Sequence, residues 1–181
     1  MDTWPKDPAK AIAVPDLVNW CQRVASAGLD GITISGGEPF DQSAALLHLL
    51  RELDAWRIRG NLQFDVVCFS GYPIKLLRQR HPKILELLDA IIPEPFVENL
   101  PTRKAWRGSE NQPLLPLSAR GRSLYAPDGE AVLASGKRSM QVAVEGGKVW
   151  MIGIPERGDM AQLESLCQSR GLNLEQVSWR R

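Results

Sequence analysis

The chain is short of several features that would place it at once. No apolar run approaches the roughly 18 residues a membrane span needs, and the opening MDTWPKDP carries no signal-peptide pattern. Both absences make a cytoplasmic protein the expectation. Neither sign of charge dominates: 22 Lys and Arg stand against 21 Asp and Glu, for a net charge of +1. Bulk charge therefore marks neither a nucleic-acid nor a membrane partner. Cysteine is scarce. Cys21, Cys68 and Cys167 are odd in number and far apart, which argues against a disulfide framework and for reduced thiols. Two common enzyme signatures are missing as well. A dinucleotide site wants G-x-G-x-x-G opening a helix, whereas residues 36–41 read GGEPFD; a hydrolase elbow wants G-x-S-x-G, and Phe69-Ser70-Gly71-Tyr72 does not supply it. What remains is 181 residues, 44% of them hydrophobic, enough for a domain with a real core.

The most informative stretch is residues 31–40, GITISGGEPF. Ile32 and Ile34 make a short apolar strand, and Gly36 and Gly37 then release the backbone from the restriction a Cβ imposes. Pro39 has no N–H and pins its own φ, so Gly-Gly-Glu is held extended with its backbone bare at the strand's carboxyl end. α/β folds bind ligands there. Two glycines alone would be read as a tight connection. The carboxylate of Glu38 beside that bare backbone suits a ligand carrying an ammonium group.

Elsewhere the elements follow from periodicity. Pro15, then Leu17, Trp20, Cys21 and Val24, with Gly28 as the stop, predict a first helix with Cys21 on its core face. Residues 41–56 form the strongest helix, with Asp41 as its N-cap, Leu46, Leu49, Leu50 and Leu53 as its stripe, and His48 in solvent. FDVVCF, residues 64–69, is a second strand with Cys68 as a small buried hydrophobe, ending at Ser70-Gly71-Tyr72. A short helix at 74–80, a helical turn at 84–88 and a third strand at 89–96 follow; Pro93 and Pro95 predict an edge or an unpaired strand end. Strands alternating with helices give a parallel α/β arrangement, and two glycine turns on one rim would shape one pocket.

Residues 97–118 form a polar loop too long for idle connection; Trp106 and the Pro-Leu-Leu-Pro segment argue that it docks on the body. The remainder turns to antiparallel β: a hairpin from 123–125 through Pro127-Asp128-Gly129 to 131–134, and a second around Gly146-Gly147 that sets Val144 opposite Val149 and Val142 opposite Met151. Asp159 with Gln162 resembles a capping box for a helix with Leu163, Leu166 and Cys167 buried and Gly171 as its stop; 172–179 is a last short element. Residues 1–118 are expected as the α/β body, with 119–181 packed on it as an appendage.

Strand-GGEP-F-D-Q before a leucine-rich helix resembles the radical S-adenosylmethionine (SAM) superfamily, and within it the activating enzymes of glycyl-radical enzymes, of the anaerobic ribonucleotide reductase activase type. Trp106 to Gln112, Trp-Arg-Gly-Ser-x-Asn-Gln, is similar to a segment of the same group. The resemblance implies a partial (β/α) barrel. It implies that Ser35, Gly36, Gly37 and Glu38 hold the SAM ammonium, that Pro39, Ser70, Gly71 and Tyr72 belong to the cofactor site with them, and that Arg107, Asn111 and Gln112 face the pocket or a partner. A [4Fe–4S] cluster, a glycyl-radical enzyme such as an anaerobic ribonucleotide reductase as partner, and an electron donor such as flavodoxin or ferredoxin are implied with it. The family holds its cluster with C-x3-C-x2-C, which this sequence lacks. Asp2, Thr3 and Trp4 match the stretch just after that loop, so an N-terminally truncated barrel with the cluster cysteines upstream of Met1 is the expectation. A cluster-less SAM-binding or interaction module is the alternative.

Overall fold

The computed structural model describes residues 11–25, 28–125, 140–145, 148–153 and 158–172. The chain divides into two compact units, Met1–Val132 and Leu133–Arg181. The first is built on a sheet in which β1 (Gly31–Ile34), β2 (Asp65–Phe69) and β3 (Ala90–Ile92) run parallel in chain order, and β4 (Leu115–Pro116) adds antiparallel to β3. Helical crossovers make the parallel pairing possible. α2 (Ser43–Arg59) joins β1 to β2, and α3 (Ile74–Arg80) with α4 (Pro82–Leu85) joins β2 to β3.

Register sorts the side chains onto two faces. Ile34, Cys68 and Ile91 stand in one row; Cys68 and Ile91 are fully buried with Leu50 and Phe64 in the larger core, and Ile34 packs against it. In the neighbouring row Val67 and Ala90 point the other way and join Ile92 and Leu114 in a second, smaller core. β2 is covered on both faces, which explains why FDVVCF has no alternation. β3 lies inside the sheet, not at an edge, and Pro93 closes it after three residues.

Several expectations need correcting. Asp41 does not cap α2: residues Pro39–Gln42 form a single 3-10 turn capped by Glu38, and α2 starts at Ser43 with Gln42 before it. In α1 (Val14–Val24) the buried residue is Val18, flanked by half-buried Leu17 and Cys21, so Trp20 and Val24 fall outside the stripe and are 53% and 59% exposed. Ser123 and Tyr125 do not open a hairpin. They belong to a helix, α5 (Ala119–Tyr125), because the Ser118 hydroxyl accepts the Gly121 N–H at 2.9 Å and donates to Asp89 Oδ1. A Cβ on Gly121 would stand 1.8 Å from the Asp89 carbonyl oxygen, so only glycine lets α5 lie against the start of β3. α5 lies within the first compact unit, Met1–Val132.

In the second unit β5 (Met140–Glu145) and β6 (Lys148–Gly153) pair antiparallel with Val144 opposite Val149 and Val142 opposite Met151, the register that the alternation predicts. α6 (Asp159–Ser169) buries Cys167 but leaves Leu166 exposed, and its N-cap is Gly158 at φ +101 in place of a capping box. Gly171, at φ +75, follows its end. Pro127-Asp128-Gly129, residues 131–134, Gly146-Gly147 and residues 173–179 lie outside the described residues. No described helix is long and apolar enough to cross a membrane.

Candidate functional site

The carboxyl ends of the three parallel strands carry three turns that are bonded to one another. After β1, Ser35, Gly36 and Gly37 are exposed, with Gly36 at φ +120, a conformation that favours glycine. Glu38 then turns inward. Its Oε1 accepts the Phe40 N–H at 3.0 Å and the Ser70 hydroxyl at 2.9 Å, and its Oε2 accepts the Gly71 N–H at 2.7 Å. The two glycine turns singled out in the sequence are thus joined through one carboxylate, by short bonds of the charge-assisted kind.

The second turn is braced by its own side chains. Ser70 is buried, and its Oγ accepts the Tyr72 N–H at 3.1 Å. Tyr72 donates its hydroxyl to Asp41 Oδ1 at 2.6 Å, and that bond to a carboxylate is the largest cause of a phenol pKa above the usual value. Asp41 therefore serves the site and not the helix start. Pro39 is half-buried between these groups, and the Phe40 ring contacts the His81 ring at 5.3 Å between centroids.

The third turn was not legible as part of the site. After β3, Glu94 adopts φ +80; its N–H donates to the Tyr72 carbonyl at 3.1 Å and its Oε1 accepts the Ile74 N–H at 3.2 Å. Gln112 donates Nε2 to the Glu94 carbonyl at 2.9 Å, while its Oε1 accepts the N–H groups of Gly108 and Ser109. Asn111 donates to the Pro95 carbonyl at 2.8 Å, and Arg107 is buried. Asn111 and Gln112 thus fasten the long loop to the exit of β3, and reach Tyr72 only through Glu94. The one textual signal for Glu94 is that Glu-Pro-Phe recurs, at residues 38–40 and 94–96.

The loop itself is ordered by local pairs. Glu110 accepts from Thr102 Oγ1 at 2.6 Å and pairs with Lys104 at 2.6 Å; the Lys104 bond is the largest cause holding its carboxyl below the ordinary range. Farther along, Trp106 meets Tyr125 edge-on at 6.1 Å, and the Tyr125 hydroxyl donates to Asp65, at the opposite end of the sheet. Burial first, and that bond second, raise the Tyr125 pKa.

Two concavities, of about 520 and 620 Å³, lie near those amino ends, one with Arg57, Asp89 and Ser118 in its wall and the other with Gly31, Asp65, Trp106 and Tyr125. Neither includes a residue of the glycine turns. Their buried carboxylates are committed to internal bonds, Asp89 to Arg57, Val66 and Ser118, and Asp65 to Tyr125. The bare backbone and convergent polar groups lie on the opposite rim, which is the better candidate despite being an open shelf.

Cys68 lies in β2, just before the turn that Glu38 grips. Burial, and secondarily the charge of Glu38, push its thiol up to about 12. Cys68 is expected to stay unlabelled by a thiol reagent at pH 8 in the folded protein and to react only on unfolding; rapid labelling without unfolding would overturn its placement. Because the folded pKa exceeds the unfolded one, the neutral thiol stabilises fully below about 9, and that contribution is lost as pH climbs toward 12.

A family described as a 4Fe-4S single cluster domain matches residues 1–115. An anaerobic ribonucleoside-triphosphate reductase-activating protein of Enterobacteria phage T4 is 26% identical over 113 residues, 62% of this chain and 69% of that protein. No solved structure matches. Among the described residues no three His, Cys, Asp or Glu side chains converge on a place where a metal could sit. Cys21 is on α1, Cys68 is buried in β2 and Cys167 belongs to the other unit. These residues do not fit a four-iron cluster.

Proposed function

The chain belongs to the 4Fe-4S single cluster domain family, and from that premise we propose that it is an activating protein of the radical-SAM type. Its partner in this reading is an anaerobic ribonucleoside-triphosphate reductase, and its setting the cytoplasm. The observation that carries the reading is the three-bond tie from Glu38 to Phe40, Ser70 and Gly71, which brings both ligand-suited turns to one rim. SAM, when bound, would supply a sulfonium that could yield a radical for a glycine of the partner only with one electron from a donor such as a reduced [4Fe–4S] cluster, whose cysteine loop these residues do not include.

The rest is the work of this chain's residues. Backbone carbonyls of Ser35, Gly36 and Gly37, exposed and free of Cβ crowding at both glycines, accept the ammonium hydrogens. Glu38 supplies negative charge beside them, and Pro39 keeps that segment extended. Gly71 and Tyr72 border the remainder of the molecule, and Arg107, Asn111 and Gln112 shape the loop that meets the partner. A partial barrel fits the chain-order sequence of β1, β2 and β3.

Equilibrium dialysis of the whole chain against labelled SAM tests this, with saturable binding of one equivalent expected. No binding would sink the reading. The cluster is tested separately, by iron and acid-labile sulfide analysis of native protein purified without oxygen, with both expected in the bound fraction. The sealing of Cys68 inside β2 favours one second reading, a cluster-less interaction module, which native protein with no bound iron would support.

A further inference from the structure

Glu38-Pro39-Phe40 leaves β1 and Glu94-Pro95-Phe96 leaves β3, and β2 lies between those strands. Both glutamates reach inward to the exit of β2. Glu38 takes the Gly71 N–H and the Ser70 hydroxyl at one end of the 70–74 turn; Glu94 takes the Ile74 N–H at the other. The Glu94 N–H also donates to the Tyr72 carbonyl in the middle. One turn is thus gripped by a carboxylate from each neighbouring strand exit.

Glu94 holds this post against its own backbone preference. At φ +80 a residue with a Cβ is disfavoured, where glycine would be at ease. The position nevertheless carries a long acidic side chain, and Gln112 fixes it by bonding its carbonyl. A strand exit alone would not require that combination. The Ile74 bond by itself is also what a cap of the short helix α3 would look like, which would contribute stability and nothing else.

We propose that Glu94 is a positioning residue: with Glu38 it clamps the 70–74 turn, and SAM affinity depends on that clamp. The ligand in this inference rests on the SAM reading above, while the clamp rests on the geometry of the rim. Glutamine at 94 keeps a carbonyl oxygen for the Ile74 N–H, and alanine does not. Glu94→Ala in the whole chain is expected to bind SAM about tenfold more weakly and to speed amide exchange at residues 71–74 about tenfold. Glu94→Gln is expected near wild type in both.

A cap without a positioning role predicts a lower melting temperature for Glu94→Ala with SAM affinity unchanged, and that result would overturn the proposal. If the wild type binds no SAM, the ligand reading fails by itself. Exchange at 71–74 then decides the clamp, and an unchanged rate in Glu94→Ala removes it.

Discussion

Asp89→Ala is expected to destabilise the first unit by about 3–5 kcal/mol, the cost of removing a buried carboxylate that accepts three hydrogen bonds, one of them from a half-buried arginine. Asp89 is 3% exposed and sits just before β3. Its Oδ2 accepts from Arg57 Nη1 at 2.8 Å and from the Val66 N–H at 2.9 Å, and its Oδ1 from the Ser118 hydroxyl. Alanine would leave the Val66 N–H without its acceptor in the sheet and Arg57 with only Asp54, at 2.8 Å. Ser118 would also lose the partner that orients it as the cap of α5. Denaturant unfolding measures the loss; a change below about 1 kcal/mol would mean that these bonds do not organise the unit. Arg57→Ala in the same background should then add little, since both remove one network.

Glu38→Ala is expected to weaken SAM binding about a hundredfold, since the variant loses both the negative charge beside the ammonium and the two bonds that hold the Ser70–Gly71 turn in its binding position. The fold should survive. Glu38 is half-buried on the rim, none of its partners is a strand residue, and the cores beneath are apolar. Far-UV circular dichroism should therefore match wild type while dialysis shows the loss. Wild-type affinity in this variant would remove Glu38 from the site. Of the two variants, only the Asp89 change should move overall stability strongly, because its carboxylate is sealed from water and that of Glu38 is not.

Parts of this protein were legible because they obey short-range rules. The helix at 74–80, the β2 run and the Val144–Val149 register follow from periodicity and turn chemistry. The GGEP turn was legible because glycine and proline restrict the backbone whatever surrounds them. Misreadings came where a distant group decides. Residues 119–125 carry two arginines, a glycine and a tyrosine with no clear period, and they become helical because Asp89, 29 positions earlier, orients Ser118. Asp41 has the composition of an N-cap, yet Glu38 takes the capping role and Tyr72 takes the Asp41 carboxylate.

Neighbouring residues are enough to specify the alternation of strands and helices, the two glycine turns and the acid between glycine and proline. Packing of the whole sheet is what makes those turns share one carboxylate, sets Glu94 at the far end of the second, and lets Asn111 and Gln112 fasten a loop. The reason is physical: parallel pairing of β1, β2 and β3 brings three strand exits together from positions about thirty residues apart, and hydrogen-bond partners across such distances leave no local pattern to read.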